Sequence, residues 1–374
     1  MIPFNRPTQA PGQLEAVADV FRRGHLSGDG EYTSRASASL RELHCGSAVL
    51  LTTSCTDALE LCAMLLQIQP GDEVIVPSFT FVSSANAFAI MGANIVFVDI
   101  DPKNLNISME HVERALTHRT RAIVAVNYAG TPSLTDELVE LARMKNVVII
   151  EDNAHGLFGL DSEGRPLGTR SQLSTLSFHE TKNITSGEGG AIVINDPELV
   201  DRAEILREKG TNRSRFFRGM VDKYTWVDVG SSYLLSEINA AVLVAQLDFR
   251  ATVQERRGAA AQQYHETLVE WAQQHGHSLP QRLAGSPNHL FPILFRTAEV
   301  RTRFLAYTRE RGVATTFHYI PLHSSPGGKR FGRAPFGCET SADVSDRLAR
   351  LPLFSDITIP EVDTVIEVVS GFTV

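Results

Sequence analysis

One lysine stands among small polar residues between two stretches that have the pattern of β-strands. Lys182 lies in Ser177-Phe-His-Glu-Thr-Lys-Asn-Ile-Thr-Ser-Gly-Glu-Gly-Gly190, and residues 173–178 and 191–194 are predicted strands. Loops between strands commonly carry reactive groups on a rigid scaffold. A desolvated lysine can lose its proton and form a Schiff base with a carbonyl compound. Long lysines more often point into water, so the position alone also allows a solvated surface charge.

A carboxylate and a predicted helix start are two further candidate groups. Asp152 ends the apolar segment Val147-Val-Ile-Ile-Glu-Asp, thirty residues before Lys182. A carboxylate at the end of a buried strand needs a partner, although a strand-end pair or a magnesium ligand would also explain it. Thr53-Ser-Cys-Thr56 precedes a predicted helix. The free amides of a helix start suit a phosphate group, and a plain helix cap is the alternative.

Together, these three features match the requirements of one cofactor. Pyridoxal phosphate needs a lysine for a Schiff base, a carboxylate near its pyridine nitrogen and a seat for its phosphate. The sequence therefore predicts a pyridoxal phosphate site. A nucleotide-dependent phosphotransferase is disfavoured, because the chain lacks a G-x-x-x-x-G-K-[ST] stretch.

Strands and helices alternate through the first half of the chain, and they must position these residues. The pattern predicts an α/β fold with a large, mostly parallel sheet that is buried on both faces. Ligands of such sheets gather at the carboxyl ends of the strands. We predict strands at 48–52, 73–76, 95–98, 122–126 and 147–150, in addition to the two beside Lys182, and helices at 57–66, 80–91, 108–117 and 134–145.

The second half of the chain has a different composition. Gln, Arg and His become frequent near residue 250, so we predict a large domain at 1–249 and a smaller C-terminal α/β domain at 250–374. Within the smaller domain the pattern predicts helices at 255–274 and 298–311 and strands at 290–295 and 315–318. Between the lysine segment and this boundary, residues 210–230 form a long polar loop with several basic residues, and loops of that length are usually functional.

Composition excludes several classes of protein and partner. The chain of 374 residues has a net charge of −8 and no long basic run, which argues against nucleic acid and anionic membranes as partners. The spacing of its 4 cysteines predicts neither a metal site nor a disulfide framework. The N-terminus lacks the pattern of a signal peptide, and no run approaches membrane-spanning length. We therefore expect a cytoplasmic protein.

Long motifs beyond the predicted site carry a resemblance to one family. They are Ser177-Phe-His-Glu-Thr-Lys182-Asn, Glu208-Lys-Gly-Thr-Asn-Arg-Ser-Arg-Phe-Phe-Arg218-Gly, Asp222-Lys-Tyr-Thr-Trp226, Gly230-Ser-Ser-Tyr-Leu234 and Phe317-His-Tyr-Ile-Pro-Leu-His323. Across nearly its full length the chain resembles the DegT/DnrJ/EryC1/StrS family of nucleotide-sugar aminotransferases, which have fold type I. Within that family it is most similar to the dTDP-4-oxo-6-deoxy-D-glucose 4-transaminases.

The resemblance implies a role for each candidate site residue. Lys182 is expected to form the Schiff base with the cofactor, Asp152 to bind its pyridine nitrogen, and His155 to lie near its phenolic oxygen. Ring stacking is expected from Phe81, and the phosphate contacts from Cys55, Thr56 and Ser177. Ser232 stands where many members have an asparagine that reaches the phosphate of the neighbouring subunit, so a homodimer with shared active sites is expected.

Three further residues are candidate contacts of the substrate. Arg213 and Arg218 lie in the long loop, and arginine forks match the oxygens of a diphosphate. A solvated basic surface is the alternative for each of them. His323 is a candidate contact of the sugar, and a structural histidine is equally consistent with its sequence context.

The resemblance also implies the reaction. An amino group is expected to pass from L-glutamate to the C4 ketone of dTDP-4-oxo-6-deoxy-D-glucose, giving a dTDP-4-amino-4,6-dideoxy-hexose of gluco or galacto configuration. A C3 aminotransferase acting on a related dTDP-oxo-sugar and a catalytically silent binding protein with the same fold stay as alternatives. Enzymes of C3 deoxygenation resemble this family but have histidine at the lysine position, so Lys182 argues against that reaction.

Overall fold

An eight-stranded β-sheet is the largest element of the protein, whose computed structural model describes residues 1–373. The strand order is β1-β7-β6-β5-β4-β2-β3-β9. The strands of this sheet are β1 (Ala48–Thr52), β2 (Glu73–Pro77), β3 (Asn94–Val98), β4 (Thr120–Val126), β5 (Val148–Asp152), β6 (Leu173–Ser177), β7 (Gly190–Ile194) and β9 (Gly332–Arg333). A separate antiparallel pair consists of β8 (Phe291–Leu294) and β10 (Leu348–Leu351).

Helices connect and cover these strands. In chain order they are α1 (Gln13–Arg23), α2 (Glu31–Leu43), α3 (Cys55–Leu65), α4 (Ser83–Ala89), α5 (Met109–Ala115), α6 (Asp136–Lys145), α7 (Val200–Arg207), α8 (Arg213–Phe217), α9 (Glu237–Asp248), α10 (Arg250–His275), α11 (Ala298–Glu310), α12 (Pro326–Phe331), α13 (Glu339–Arg347) and α14 (Ile359–Ser370). Within residues 1–373, none of the helices has the length and apolar character needed to cross a lipid bilayer.

One strand of the large sheet runs against the others. β7 is antiparallel to both of its neighbours, β1 and β6, whereas the remaining pairs of the sheet are parallel. The carboxyl ends of β1, β2, β4, β5 and β6 therefore meet at one edge. β7 begins at that same edge, because Gly190 pairs with both Thr52 and Ser177.

The sheet is buried on both faces, as the apolar strands predict. Val74 and Val76 of β2 pack into one hydrophobic cluster with α3 and α4, whereas Ile75 packs into another with α5 and α6. Side chains alternate between the faces of a strand, so a strand that is covered on both sides has to be apolar throughout. A third cluster joins β1 and β7 to helices α1, α2 and α9.

The C-terminal part of the chain builds a second hydrophobic core. Residues between 260 and 372 from α10, α11, α14, β8 and β10 pack together there. Phe249 separates α9 from α10, and the domain boundary between residues 249 and 250 remains a prediction. The later part of the chain also joins the large sheet, because β9 pairs with β3 and Arg333 Nη2 lies 3.1 Å from the buried Glu73 carboxylate.

The sequence located all seven strands of the alternating region, and its errors lie where tertiary contacts decide. The helix predicted at 80–91 begins only at Ser83, since residues 80–82 turn away from the end of β2. The strand predicted at 315–318 is wrong, because this segment has only a single bridge, from Thr316 to Arg350. The long loop at 210–230 contains the short helix α8.

Glu237, at the start of α9, supplies the cap that α2 lacks. Its carboxylate accepts hydrogen bonds from the main-chain N–H groups of Gly30, Tyr32 and Thr33 at 3.1, 2.8 and 2.9 Å, and its side chain is 2% exposed. The first amides of a helix have no partner within the helix, so an outside acceptor stabilises it. Asn239, on the same helix, donates to the carbonyl oxygen of Ser186 at 2.7 Å and so holds the segment that carries Lys182.

We predict that Glu237→Ala destabilises the protein by about 2–3 kcal/mol, because buried N–H groups lose their acceptor. The measurement is urea denaturation, together with hydrogen exchange of the α2 amides, which should become faster. Glu255→Ala is the control, since that glutamate is exposed on α10. Equal stability of the two variants would contradict the assigned role of Glu237.

Candidate active site

A cavity of about 640 Å³ opens at the edge where the parallel strands end. Its walls come from the segments after β1, β2, β5 and β6 and from the second half of the chain. The structure brings seven of the predicted site residues together in this wall: Cys55, Thr56, Phe81, Asp152, His155, Ser177 and Lys182. These residues are far apart in sequence and meet because the strands that precede them end at the same edge of the sheet.

Lys182 lies in the segment that connects β6 to β7. The base of this segment is closed by hydrogen bonds from Phe178 N to Gly189 O and from Ser186 N to Phe178 O, at 2.8 and 2.9 Å. The side chain is half-buried in the cavity wall. Desolvation lowers the pKa of Lys182 below that of a free lysine, and the Arg350 charge adds to this shift, while Cys55 and Asp152 oppose it. Burial thus favours the neutral amine, which is the nucleophilic form.

Asp152 is 5% exposed and has an incomplete set of partners. One carboxylate oxygen accepts a hydrogen bond from Ser84 Oγ at 2.6 Å, and the other accepts one from Ala154 N at 3.2 Å. Within residues 1–373 no cationic side chain lies at ion-pair distance from it. Desolvation raises the pKa of Asp152, while the hydrogen bonds and Lys182 oppose the shift. A cationic group in the cavity would therefore stabilise its charged form.

His155 is buried and neutral. Desolvation lowers its pKa well below the usual value, and Lys182 and Arg350 add to the shift. Its Nδ1 accepts a hydrogen bond from Ala129 N at 3.4 Å, so the ring proton is on Nε2, which lies 3.3 Å from Tyr319 Oη. His289 packs beside it with ring centroids 4.4 Å apart. The histidine is thus held as a neutral hydrogen-bond donor.

The start of α3 has the features of an anion site. Ser54 caps the helix by accepting a hydrogen bond from Asp57 N at 3.0 Å. In the described part of the chain, the amides of Cys55 and Thr56 have no acceptor. Thr56 Oγ1 lies 2.7 Å from Ser83 Oγ. Free amides at a helix start carry partial positive charge and bind phosphate oxygens.

Phe81 stands at the mouth of the cavity, in the turn after β2. It is 57% exposed, and its ring centroid lies 6.4 Å from that of Tyr319. An exposed aromatic side chain in a cavity mouth offers its face to a flat ligand.

Four predicted residues do not line this cavity. Arg213 Nη1 lies 3.2 Å from Glu208 Oε1, and Arg218 Nη1 lies 3.1 Å from Glu204 Oε1. Ser232 forms a bridge with Glu208. The ring of His323 is fixed to the end of β2, because Ser78 Oγ and His323 Nδ1 share a hydrogen bond of 2.6 Å. Their roles toward the substrate or a second subunit remain predictions.

The structure adds residues in or behind the cavity wall that sequence reasoning missed. Ser84 holds Asp152, and His289, Tyr319 and Arg350 line the wall from the second half of the chain. Tyr319 belongs to the motif at 317–323, which was the one available signal for it. Its φ of 33° is in the left-handed region, where a bulky residue is strained and such strain is common at functional sites. Arg350 carried no signal, because it is one arginine of many.

Solved structures of aminotransferases resemble this chain over its full length. TlmJ from Streptoalloteichus hindustanus is 32% identical, with a TM-score of 0.89 and coverage of 99% of this chain and 98% of that one. DesV of S. venezuelae is 30% identical, with a TM-score of 0.87 and coverage of 100% and 99%. An aminotransferase of the DegT, DnrJ, EryC1 and StrS type from Brucella abortus is 28% identical, with a TM-score of 0.87 and coverage of 96% and 94%.

The sequence pattern of one protein family agrees with this similarity to solved structures. The pattern of the DegT/DnrJ/EryC1/StrS aminotransferase family matches residues 7–370. The cavity described above, with its lysine, buried aspartate and free helix start, lies within that match. The chain therefore belongs to the DegT/DnrJ/EryC1/StrS aminotransferase family, whose members are sugar aminotransferases that depend on pyridoxal phosphate.

Proposed function

We propose that this protein transfers an amino group from L-glutamate to the C4 ketone of dTDP-4-oxo-6-deoxy-D-glucose, giving a dTDP-4-amino-4,6-dideoxy-hexose. Membership of a sugar aminotransferase family supports the class of reaction. The observation that carries the proposal is the meeting of Lys182, Asp152 and the start of α3 in one cavity. The motifs at 208–219 and 317–323 support the choice of a 4-oxo sugar.

The donor set of the cavity fits pyridoxal phosphate. Asp152 has no cationic partner among residues 1–373, so a protonated pyridine nitrogen would complete its contacts. The free amides of Cys55 and Thr56, with the Ser177 hydroxyl, suit the phosphate. Phe81 would cover the ring, and His155 would donate from Nε2 to the phenolic oxygen. When bound, the cofactor carries the amino group and takes up the electron pair that is left when a proton leaves the reacting carbon.

Lys182 and Asp152 divide the proton chemistry. The Lys182 amine, kept partly neutral by desolvation, would hold the cofactor between turnovers. Once the amine of the substrate has taken its place, Nζ of Lys182 would take the proton from the carbon that bears the amine and deliver it to the carbon on the other side of that nitrogen. Asp152 would keep the ring nitrogen protonated, and the positive charge there would keep Asp152 ionised.

A homodimer would complete the site. The long loop exposes a group of apolar side chains, which are Phe217, Met220, Trp226 and Val229, with exposures of 69%, 63%, 77% and 59%. Contiguous exposed apolar surface usually marks a protein contact. A second copy of the chain on this surface would bring Ser232, Arg213 and Arg218 toward the neighbouring cavity, where they would bind the cofactor phosphate and the nucleotide diphosphate.

The proposed reaction is tested by incubating the holoenzyme with L-glutamate and dTDP-4-oxo-6-deoxy-D-glucose. We expect 2-oxoglutarate and a dTDP-sugar with nitrogen at C4, and the proton couplings in its NMR spectrum give the gluco or galacto configuration. An enzyme that leaves this sugar unchanged and places nitrogen at C3 of a related dTDP-oxo-sugar would contradict the C4 assignment. A holoenzyme that glutamate cannot convert to the pyridoxamine phosphate form would overturn the transaminase assignment.

Lys182→Ala should bind the cofactor without a covalent link and lower transamination by more than about 100-fold, because the chain loses its base. Borohydride reduction followed by mass spectrometry should show the cofactor attached to the wild-type chain and absent from the variant. Lys145→Ala is the control, since that lysine is exposed at the end of α6. A fully active Lys182→Ala variant would be incompatible with the proposal.

Arg218→Glu should raise the KM for the sugar nucleotide about 10-fold or more, because a charge-assisted contact to the diphosphate becomes repulsive. Single-turnover reaction with glutamate should keep its rate, since glutamate has no diphosphate. Arg143→Glu, on the exposed face of α6, is the control for a change in net charge. An unchanged KM would remove Arg218 from the substrate site.

A further inference from the structure

Arg350 brings a guanidinium cation to the wall of the cavity, and the reaction as derived above does not use it. It lies on β10, in the second half of the chain, and lines the cavity together with Lys182 and Asp152. Its charge reaches the centre of the site, because it lowers the pKa values of Lys182, His155 and His289.

The chain holds the Arg350 side chain in place. Nη2 donates to the carbonyl oxygen of Phe317 at 2.9 Å, and the guanidinium carbon lies 4.7 Å from the centroid of the Phe4 ring. The main-chain N–H of Arg350 donates to Thr316 O at 2.8 Å. A guanidinium fixed by its own strand, a carbonyl and an aromatic ring is preorganised for a ligand.

Arg350 has no anionic partner among residues 1–373. No carboxylate lies at ion-pair distance from it, and its Nε is buried without any hydrogen-bond acceptor. Other arginines that face a neighbouring element pair with a carboxylate, as Arg333 does with Glu73. A buried donor without an acceptor is destabilising, so an anion that enters the cavity would satisfy it.

Two anions enter the cavity if the proposed function holds, and this inference rests on that function. One is a carboxylate of the amino donor, and the other is the diphosphate of the sugar nucleotide. The α-carboxylate is bonded to the same carbon as the reacting amine, so it has to lie beside Lys182. The diphosphate is attached at C1 of the sugar, on the far side of the ring from C4. A cation close to Lys182 therefore meets the carboxylate.

We propose that Arg350 binds the α-carboxylate of the amino donor through its Nε and Nη hydrogens. The fork of a guanidinium matches the two oxygens of a carboxylate. Arg350 is then specific to one half of the reaction, because the sugar nucleotide has no carboxylate to place there. The same pocket can accept the amine of either substrate, while Arg350 selects amino acids as donors.

The two half-reactions separate this role from a general structural one. With holoenzyme of Arg350→Leu, the single-turnover rate with low concentrations of L-glutamate should fall about 10- to 100-fold, as expected for loss of a hydrogen bond to a charged group. The reverse reaction of the 4-amino sugar nucleotide with the same holoenzyme should keep its rate. Arg350→Lys keeps the charge without the fork and should lie between wild type and Arg350→Leu.

Binding without chemistry gives a second readout. Glutarate has carboxylates and no amine, so calorimetry reports its contact with the holoenzyme alone. Arg350→Leu should weaken glutarate binding and leave dTDP binding unchanged. Arg347→Leu is the matched control, because Arg347 lies three residues earlier and pairs with Asp343 outside the cavity.

Several results would overturn the assignment. The first is an unchanged single-turnover rate of Arg350→Leu with glutamate. The second is an equal loss of rate in both half-reactions while the variant keeps the wild-type melting temperature. The third is a loss confined to the reaction of the sugar nucleotide or to the binding of dTDP. The last result would identify Arg350 as a phosphate contact. If wild-type protein performs neither half-reaction, the proposed function fails, and glutarate binding by wild type and Arg350→Leu still decides whether this guanidinium binds carboxylates.

Discussion

The reversed direction of β7 is the constraint on which the site depends. Because β7 is antiparallel to β6, it begins at the edge of the sheet where β6 ends. The segment with Lys182, which joins the two strands, therefore stays at that edge. Gly190 then lies so close to the start of α3 that a Cβ atom would collide with the amide of Cys55. A larger residue would force the helix start and the lysine segment apart. The absence of a side chain at one strand position thus keeps the two parts of the site together.

Burial decides the charge state of the cavity wall. Desolvation raises the pKa of Asp152 and lowers that of Lys182, and it holds His155, His289 and His318 neutral by lowering their pKa values well below the usual range. In such surroundings a charge on a bound ligand interacts more strongly than it would in water. The ionisation of Asp152 and the contacts of Arg350 therefore depend on what binds between them. Within residues 1–373, neither group has a partner of opposite charge at ion-pair distance.

The two halves of the chain contribute different parts of the site and are firmly joined. The large sheet supplies Lys182 and Asp152, and the later part supplies His289, Tyr319 and Arg350. Asn183, next to the lysine, donates to Pro287 O at 2.7 Å, and its side-chain oxygen lies 2.8 Å from His289 Nδ1. The buried Arg257 donates to the carbonyl oxygens of Asn288, His289 and Leu353. These polar contacts fix the position of the later residues relative to the lysine.

The sequence by itself determined the alternating strands and the edge at which they end, and it singled out Asp152, Lys182 and the turn at 53–56 as candidates, because apolar periodicity and strand ends are local signals. The family resemblance added Cys55, Thr56, Phe81, His155 and Ser177, which also line the cavity. Ser84, His289 and Arg350 could not be predicted, since their importance comes from contacts between segments far apart in the chain. Tertiary contacts also explain the wrong strand prediction at 315–318. The segment forms a single bridge to Arg350, and Tyr319, which follows it, takes a left-handed conformation beside His155. Only the tertiary structure decided which cations pair with carboxylates, and in the part of the chain that it describes Arg350 lies in the cavity wall without one.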